Sequence, residues 1–413
     1  MTVASGSDPP PGSSGSWIAL APTPAGIAAL LTVGTVGMMI TGVQPVVFGA
    51  LVREGRLSVA ELGQATTAEF LALGISVLVA GAVFRPRHLR WYGIGAGLVV
   101  VAANLLGTAH AGHAFLADRA LAGLAEGILL WLPGCMLARS MRPAFWSGIF
   151  ITIQTLAQLA YVAIVPTTAM AQFGANGALI SLAVTGGIAM AVSPAMPSHF
   201  QDLRSSAATV LPEAAGRRRI SISGAGIAAL AAMSLSAAFQ IGLYAYFEPL
   251  SAQAGLNPRA LNLAVTAALA AQVAGSALAA MVSKRVGHFH ILIAWAVTNF
   301  GLLFTFVAMP KAPLFVAAAT VFGFVWLFFM PFQYPLVIDA DPTRRAAVLL
   351  PGAQLLGGAA GPFLCSLAVT NTDVRGALVV AGLCVLATLS IAVVQHVRRQ
   401  RDPLFAPASR GTD

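Results

Sequence analysis

Charge is what this sequence has least of. Among 413 residues only 14 are Asp or Glu and 23 are Lys or Arg, 9% of the chain, where an ordinary soluble domain carries about 25%. So thin a charged coat cannot cover a water-soluble protein of this length, which excludes a soluble enzyme. The surplus of +9 is spread over short loops, so no nucleic-acid partner is expected. Cysteine is scarce too. Cys135, Cys365 and Cys384 each sit in an apolar run, and an odd, scattered set without ligand spacing excludes a disulfide scaffold and a cysteine metal site. No phosphate-binding loop is present and no stretch is long enough for a soluble ATPase domain. Any work must draw on an ion gradient or a solute gradient. The first 23 residues are rich in Gly, Ser and Pro and hold no Lys or Arg. They lack the basic start of a signal peptide and are expected to form a disordered cytoplasmic tail.

Apolar residues are abundant, 58% of the chain, with a mean hydropathy of +0.83. That supplies roughly twelve spans of about 20 residues, the length of a helix that crosses hydrocarbon. Apolar runs fall at 26–52, 59–83, 91–111, 114–138, 144–165, 174–193, 224–249, 258–282, 289–309, 313–337, 346–369 and 375–396. Runs this long without period-two alternation predict helices and exclude a barrel. With the amino terminus inside, seventeen Lys and Arg residues fall in cytoplasmic segments and five outside, with Arg119 within a span. This bias fixes both termini in the cytoplasm.

The longest polar interruption, 198–222, follows the sixth span and contains Arg217-Arg218-Arg219. The expected organisation is a tail at 1–23, a six-helix bundle at 24–197, a cytoplasmic linker at 198–222, a second six-helix bundle at 223–397 and a tail at 398–413. An offset of about 200 residues places Thr66 on Thr266, Arg85 on Arg285, His88 on His288 and Gln154 on Gln354, with Pro133 near Pro331. A duplicated six-helix unit accounts for the match. The fold expected is an all-α polytopic membrane protein, with twelve transmembrane helices in two pseudo-symmetric six-helix bundles.

The chain resembles the major facilitator superfamily of twelve-helix secondary transporters. In span four, Arg119-Ala120-Leu121-Ala122-Gly123-Leu124-Ala125-Glu126-Gly127 is similar to the family's Arg-x-x-x-Gly-x-x-x-Gly pattern. In span eleven, Gly357-x-x-x-Gly361-Pro362 resembles the Gly-Pro bend that proton-linked exporters carry in span five. Gly81 and Arg85-Pro86-Arg87 keep part of the family's loop between spans two and three, without its Asp. The resemblance implies alternating access of two halves about a central site, with Gly123, Gly127, Gly357, Gly361 and Pro362 as gating positions.

Charges inside hydrocarbon are costly, about 2.5–3.5 kcal/mol each on insertion scales, so each needs a reason. Glu69 lies in span two, and Asp118, Arg119 and Glu126 in span four. Arg119 and Glu126 are seven apart and share a helix face. Counted from the outer ends, Glu69 lies ~14 Å deep, Arg119 ~9 Å and Glu126 ~20 Å, so all three can meet. They are candidates for proton coupling or for an ion pair that clamps two helices. Asp118, on another face, is expected to be a structural partner of Arg119. Polar stripes at helical spacing are candidate cavity linings: Gln154, Gln158 and Tyr161 in span five, Gln240, Tyr244 and Glu248 in span seven, and Trp326, Gln333 and Tyr334 in span ten. Facing lipid would leave their polar groups unpaired. His110 and His113 lack a third ligand nearby, and no metal and no cofactor is expected.

The function expected is a secondary active transporter of the cytoplasmic (inner) membrane. It would move a small amphipathic, aromatic or anionic organic solute by proton-coupled alternating access. The partners expected are the solute, protons and membrane lipid, and the chain is expected to be a monomer and not an enzyme, since no compact Ser/His/Asp set lies near an interface. The alternative is a transporter-like membrane sensor or assembly factor.

Overall fold

The computed structural model describes residues 17, 22–140, 143–200, 223–282, 285–341 and 345–401. The first span is built of two helices, α1 (Pro24–Gly37) and α2 (Met39–Arg53). Then come α3 (Val59–Val83), α4 (Leu89–Gly107), α5 (Gly112–Leu137), α6 (Pro143–Ile164) and α7 (Ala169–Val192). The second half opens with α8 (Gly224–Ala245) and the short α9 (Phe247–Gln253), which together form the seventh span. It continues through α10 (Pro258–Val282), α11 (His288–Val307), α12 (Ala312–Ala340), α13 (Arg345–Ala368) and α14 (Arg375–Arg401). Among the described residues, eleven spans are long and apolar enough to cross a membrane. The 24-residue α13, set between two of them, completes twelve.

The two halves start alike, down to the cap. Thr23 Oγ1 accepts the amide of Gly26, and Ser223 Oγ accepts that of Gly226. The segment after each cap is identical, Ala-Gly-Ile-Ala-Ala-Leu at 25–30 and at 225–230. Capping satisfies an amide that would otherwise lack a partner at the helix start. Ser58 and Glu61 form a capping box on α3.

Three spans are not the plain rods that hydropathy predicts. The first breaks at Met38, whose carbonyl accepts from Gln158 Nε2 and Thr41 Oγ1, both in place of a helical amide. The seventh breaks at Tyr246, because Pro249 has no amide to offer Ala245 and its ring crowds that carbonyl. In α7, Gly174 has φ of +57°, a conformation open to glycine. The regular helix starts beyond it, where Ala175 N donates to Glu54 Oε1 at 2.6 Å.

Boundaries shift in three places. Residues 198–200, expected in the linker, pack on the first half. Leu89 N donates to Ser198 O, Phe200 N donates to Pro86 O, and the Arg139 guanidinium lies 5.1 Å from the Phe200 ring centroid. Trp17, expected in a free tail, lies against Trp146 at 5.8 Å. The last helix runs to Arg401 rather than 396. The rest of the expected tails and linker, 1–16, 18–21, 201–222 and 402–413, lies outside the described residues.

Glycines set the tightest packing in matched places. A Cβ on Gly123 would strike the backbone of Glu69, and one on Gly323, 200 residues on, would strike that of Ala268. So α3 closes on α5 as α10 closes on α12. Gly357 and Gly361 abut the backbones of Ser234 and Ala238 in the same way, joining α13 to α8. Between the halves, Tyr244 OH donates to Gly42 O at 2.6 Å and Thr67 Oγ1 to Ala359 O at 3.0 Å. Val59 N donates to Asn371 Oδ1 at 3.2 Å, and Arg53 pairs with Glu248 at 2.8 Å. These contacts gather toward the end that charge placement assigns to the outside.

Candidate functional site

The first-half site rests on α3 and α5. The close approach that Gly123 and Gly127 permit, with Ser76 Oγ donating to Leu124 O, brings Glu69 and Arg119 together within the bundle. Arg119 Nη1 is 3.3 Å from Glu69 Oε1, and neither side chain has exposed surface. Arg119 Nη2 reaches Ala103 O on α4, and its guanidinium lies 5.1 Å from the Phe115 ring centroid. Glu126 is buried two turns on from Arg119. Three atoms of this cluster have no hydrogen-bond partner: Glu69 Oε2, Arg119 Nε and Glu126 Oε2. Asp118 is not a partner of Arg119. One residue is 100° around a helix, and that rotation turns its Oδ2 to His110 Nδ1, 2.8 Å away at the outer loop.

The three polar stripes are used mainly in joining helices. Gln158 binds the Met38 carbonyl and Thr41 Oγ1, Tyr161 OH donates to Ala178 O at 2.7 Å, and Tyr244 OH spans the halves to Gly42. Glu248 is engaged in an ion pair between the halves. It is 2% exposed, lies against Gly49, and holds Arg53. Gln240 is buried with its Nε2 unpartnered, while Gln154 is half-buried. In α12, half-buried Trp326 sits edge-on to Tyr244 at 5.6 Å, Gln333 accepts from Gln354 at 2.7 Å, and Tyr334 is 44% exposed. The structure thus brings together Tyr244 with Trp326 and Gln333 with Gln354, and leaves Tyr334 outside. A cavity of about 620 Å³ lies elsewhere, among the ends of α8, α12 and α14, with Phe289 in its wall and the Asp339–Arg399 pair at its rim.

Two functional candidates escape the stripe pattern. Gln44 in α2 is buried with both amide atoms unpartnered. A lone amide beside Pro45 in an apolar span was its signal. Arg53 reads as a loop charge, and only the fold reveals its partner 195 residues away. Pro362 lies inside α13, its carbonyl against Gly63 of α3. His113 lies 3.9 Å from Glu61, and no cluster of three metal-ligating side chains occurs among the described residues.

No family model matches the sequence, and no curated protein matches it. Solved structures do. The nucleoside transporter NupG aligns with a TM-score of 0.64 at 12% identity, over 91% of this chain and 99% of that one. A bacterial homologue of the human lysosomal transporter Spinster, inward-facing and occupied, aligns with a TM-score of 0.60 at 14% identity, over 93% and 97%. The same homologue, inward-facing and unoccupied, gives 0.58 at 12% identity. Identity this low carries the fold and nothing finer. This chain is a multi-pass membrane protein with the major facilitator fold, twelve helices in two six-helix halves.

Proposed function

We propose that the chain is a proton-coupled secondary transporter of the cytoplasmic membrane, moving a small amphipathic, aromatic or anionic solute by alternating access of the halves 24–197 and 223–397. The observation that carries this is the dry cluster of Glu69, Arg119 and Glu126. One guanidinium offsets one carboxylate. The second carboxylate leaves the cluster with an uncompensated charge unless it holds a proton, and an uncompensated charge in a dry interior is strongly disfavoured. A site that is neutral with one proton and charged without it is a device for binding and releasing that proton as the halves move. Glu126, with an unpartnered Oε2, is the carrier, and Arg119 and Glu69 set its balance. Tyr244 and Trp326, edge to face in the second half, offer aromatic surface to the solute, with Gln240 and the Gln333–Gln354 pair as amide contacts. Since NupG is a nucleoside transporter, nucleosides head the panel to test, followed by aromatic anions.

The test is uptake into proteoliposomes with and without an imposed pH difference, beside counterflow at equal pH. Glu126→Gln is expected to keep counterflow and lose accumulation driven by the pH difference, because an amide mimics the protonated carboxyl and cannot release a proton. Accumulation by the variant against a gradient would reduce Glu126 to a helix clamp.

A further inference from the structure

Counted along the helices from the Phe48–Phe115 contact, Gln44 of α2 falls at the level of the charge cluster. It is 1% exposed, and neither Nε2 nor Oε1 has a partner. An unpaired amide in hydrocarbon is expensive and calls for an explanation. The helix register supplies one. α2 and α5 run antiparallel, with Phe48 edge-on to Phe115 at 5.9 Å, and Gly37 at the end of α1 abuts the backbone of Glu126. Between those two contacts the numbering runs in opposite directions. Gln44, one turn before Phe48, therefore falls level with Arg119, one turn after Phe115. At 100° per residue, Gln44 points within about 40° of Phe48 and about 140° away from Gly49. Other faces of the helix are taken by the second half and α6, with Gly49 against Glu248 and Gly42 against Gln158.

We infer that Gln44 is a positioning residue of the proton site: its amide follows the proton held by Glu126 and Glu69 and passes that state to the contact between the halves at Gly42. The inference rests on the proton-coupled function proposed above. A primary amide can donate through Nε2 to an ionised carboxylate oxygen and, turned over, accept through Oε1 from a protonated one. The unpartnered Oε2 atoms of Glu69 and Glu126 are the groups to which it would answer. Exchange between the two arrangements shifts α2. Two residues earlier on that helix, the Gly42 carbonyl receives the Tyr244 hydroxyl from the second half. By that register, the buried titratable and charged groups on the helices beside Gln44 are Glu69 on α3 and Arg119 and Glu126 on α5. Asn104 on α4 is polar but does not titrate, and the Tyr161 hydroxyl on α6 is spent on Ala178. The His110–Asp118 pair lies at the outer loop beyond Phe115.

The test needs no solute. Spin labels on the full chain at His113→Cys and Thr372→Cys, both exposed positions of opposite halves, report the separation of the halves in nanodiscs across about pH 5–9. The parent is expected to change its distance distribution with pH, and Glu126→Gln to remove that response. Gln44→Met, similar in size and without the amide, is expected to cut the pH-dependent change at least about fivefold, with the folded monomer retained. Gln44→Asn keeps the amide one bond short and should respond with a displaced midpoint. If Gln44→Met responds as the parent does while Glu126→Gln is silent, the inference fails and proton coupling stands. If Gln44→Met does not fold, Gln44→Asn decides: an unchanged midpoint overturns the inference. A parent without any pH response overturns proton coupling and this inference with it.

Discussion

At the scale of single residues, Arg119 is the position on which most depends. It has no exposed surface, holds Glu69 at 3.3 Å, lies over Phe115 and reaches the carbonyl of Ala103. Replacing it with Met leaves two carboxylates in a dry interior with no cation, and removing one partner of a buried pair costs about 3–5 kcal/mol. Glu69→Gln should cost less, since Arg119 keeps the Ala103 carbonyl and the glutamine oxygen as acceptors. Thermal unfolding of the detergent-solubilised variants is expected to rank Arg119→Met well below Glu69→Gln, with the parent highest. Equal midpoints for Arg119→Met and the parent would show that the pair carries no stability. The cluster itself was legible in the sequence, because helix rise and a shared face bring Glu69, Arg119 and Glu126 to compatible depths. The partner of Asp118 was not. Asp118 is next to Arg119 in the chain but turned to His110, and Gln44 carries no charge to draw notice. Linear spacing fixes the face of a helix but not which neighbour packs on it.

At the scale of elements, the small residues decide how close the helices come. Gly357 and Gly361 put α13 against the backbone of α8, and Gly123 and Gly127 put α5 against α3. A leucine at 361 would drive its Cβ into the Ala238 peptide, which cannot move aside as a flexible side chain can. Overpacking a well-fitted site costs about 1–3 kcal/mol. Gly361→Leu is therefore expected to lower the unfolding midpoint and slow solute exchange together. Gly301→Leu, on a helix face with nothing within 4 Å, should change neither. Normal exchange by Gly361→Leu would remove any mechanical role from the Gly357–Pro362 segment. The spans were legible from apolar length alone, and the repeat from its 200-residue offset. The breaks at Met38 and Tyr246 were not, because hydropathy averages over them. Met38 owes its break to side chains that take its carbonyl, one of them 120 residues away. For Tyr246 the proline was visible at 249, but a proline near a span end reads equally well as a terminus.

At the scale of the whole molecule, the halves are fastened along two seams, one where α6 meets α10 and one where α2 and α3 meet α8, α9 and α13. The Arg53–Glu248 pair lies at the outer end of the second seam, with the Arg side chain 35% exposed and the Glu side chain 2%. Further in, Thr67 Oγ1 donates to Ala359 O across the seam. The alternating access proposed above requires this seam to open, and the outer pair is its first obstacle. A partly solvated pair contributes up to about 1 kcal/mol, so its loss should raise the open population about fivefold, at 1.4 kcal/mol per factor of ten. The reporter is Thr67→Cys, a position half-buried in the closed seam, on a background where Cys135, Cys365 and Cys384 are all buried. A maleimide that cannot cross membranes, added outside intact cells, should label Thr67→Cys slowly and label Thr67→Cys with Arg53→Gln about fivefold faster. Glu248→Gln should act in the same direction, since either change removes the ion pair. The same reagent applied to inverted vesicles should show no such gain, because the bias of seventeen cationic residues to five places this seam outside. A gain confined to inverted vesicles would reverse the orientation. Equal rates with and without Arg53 on both sides would mean that the seam is held by its buried contacts alone.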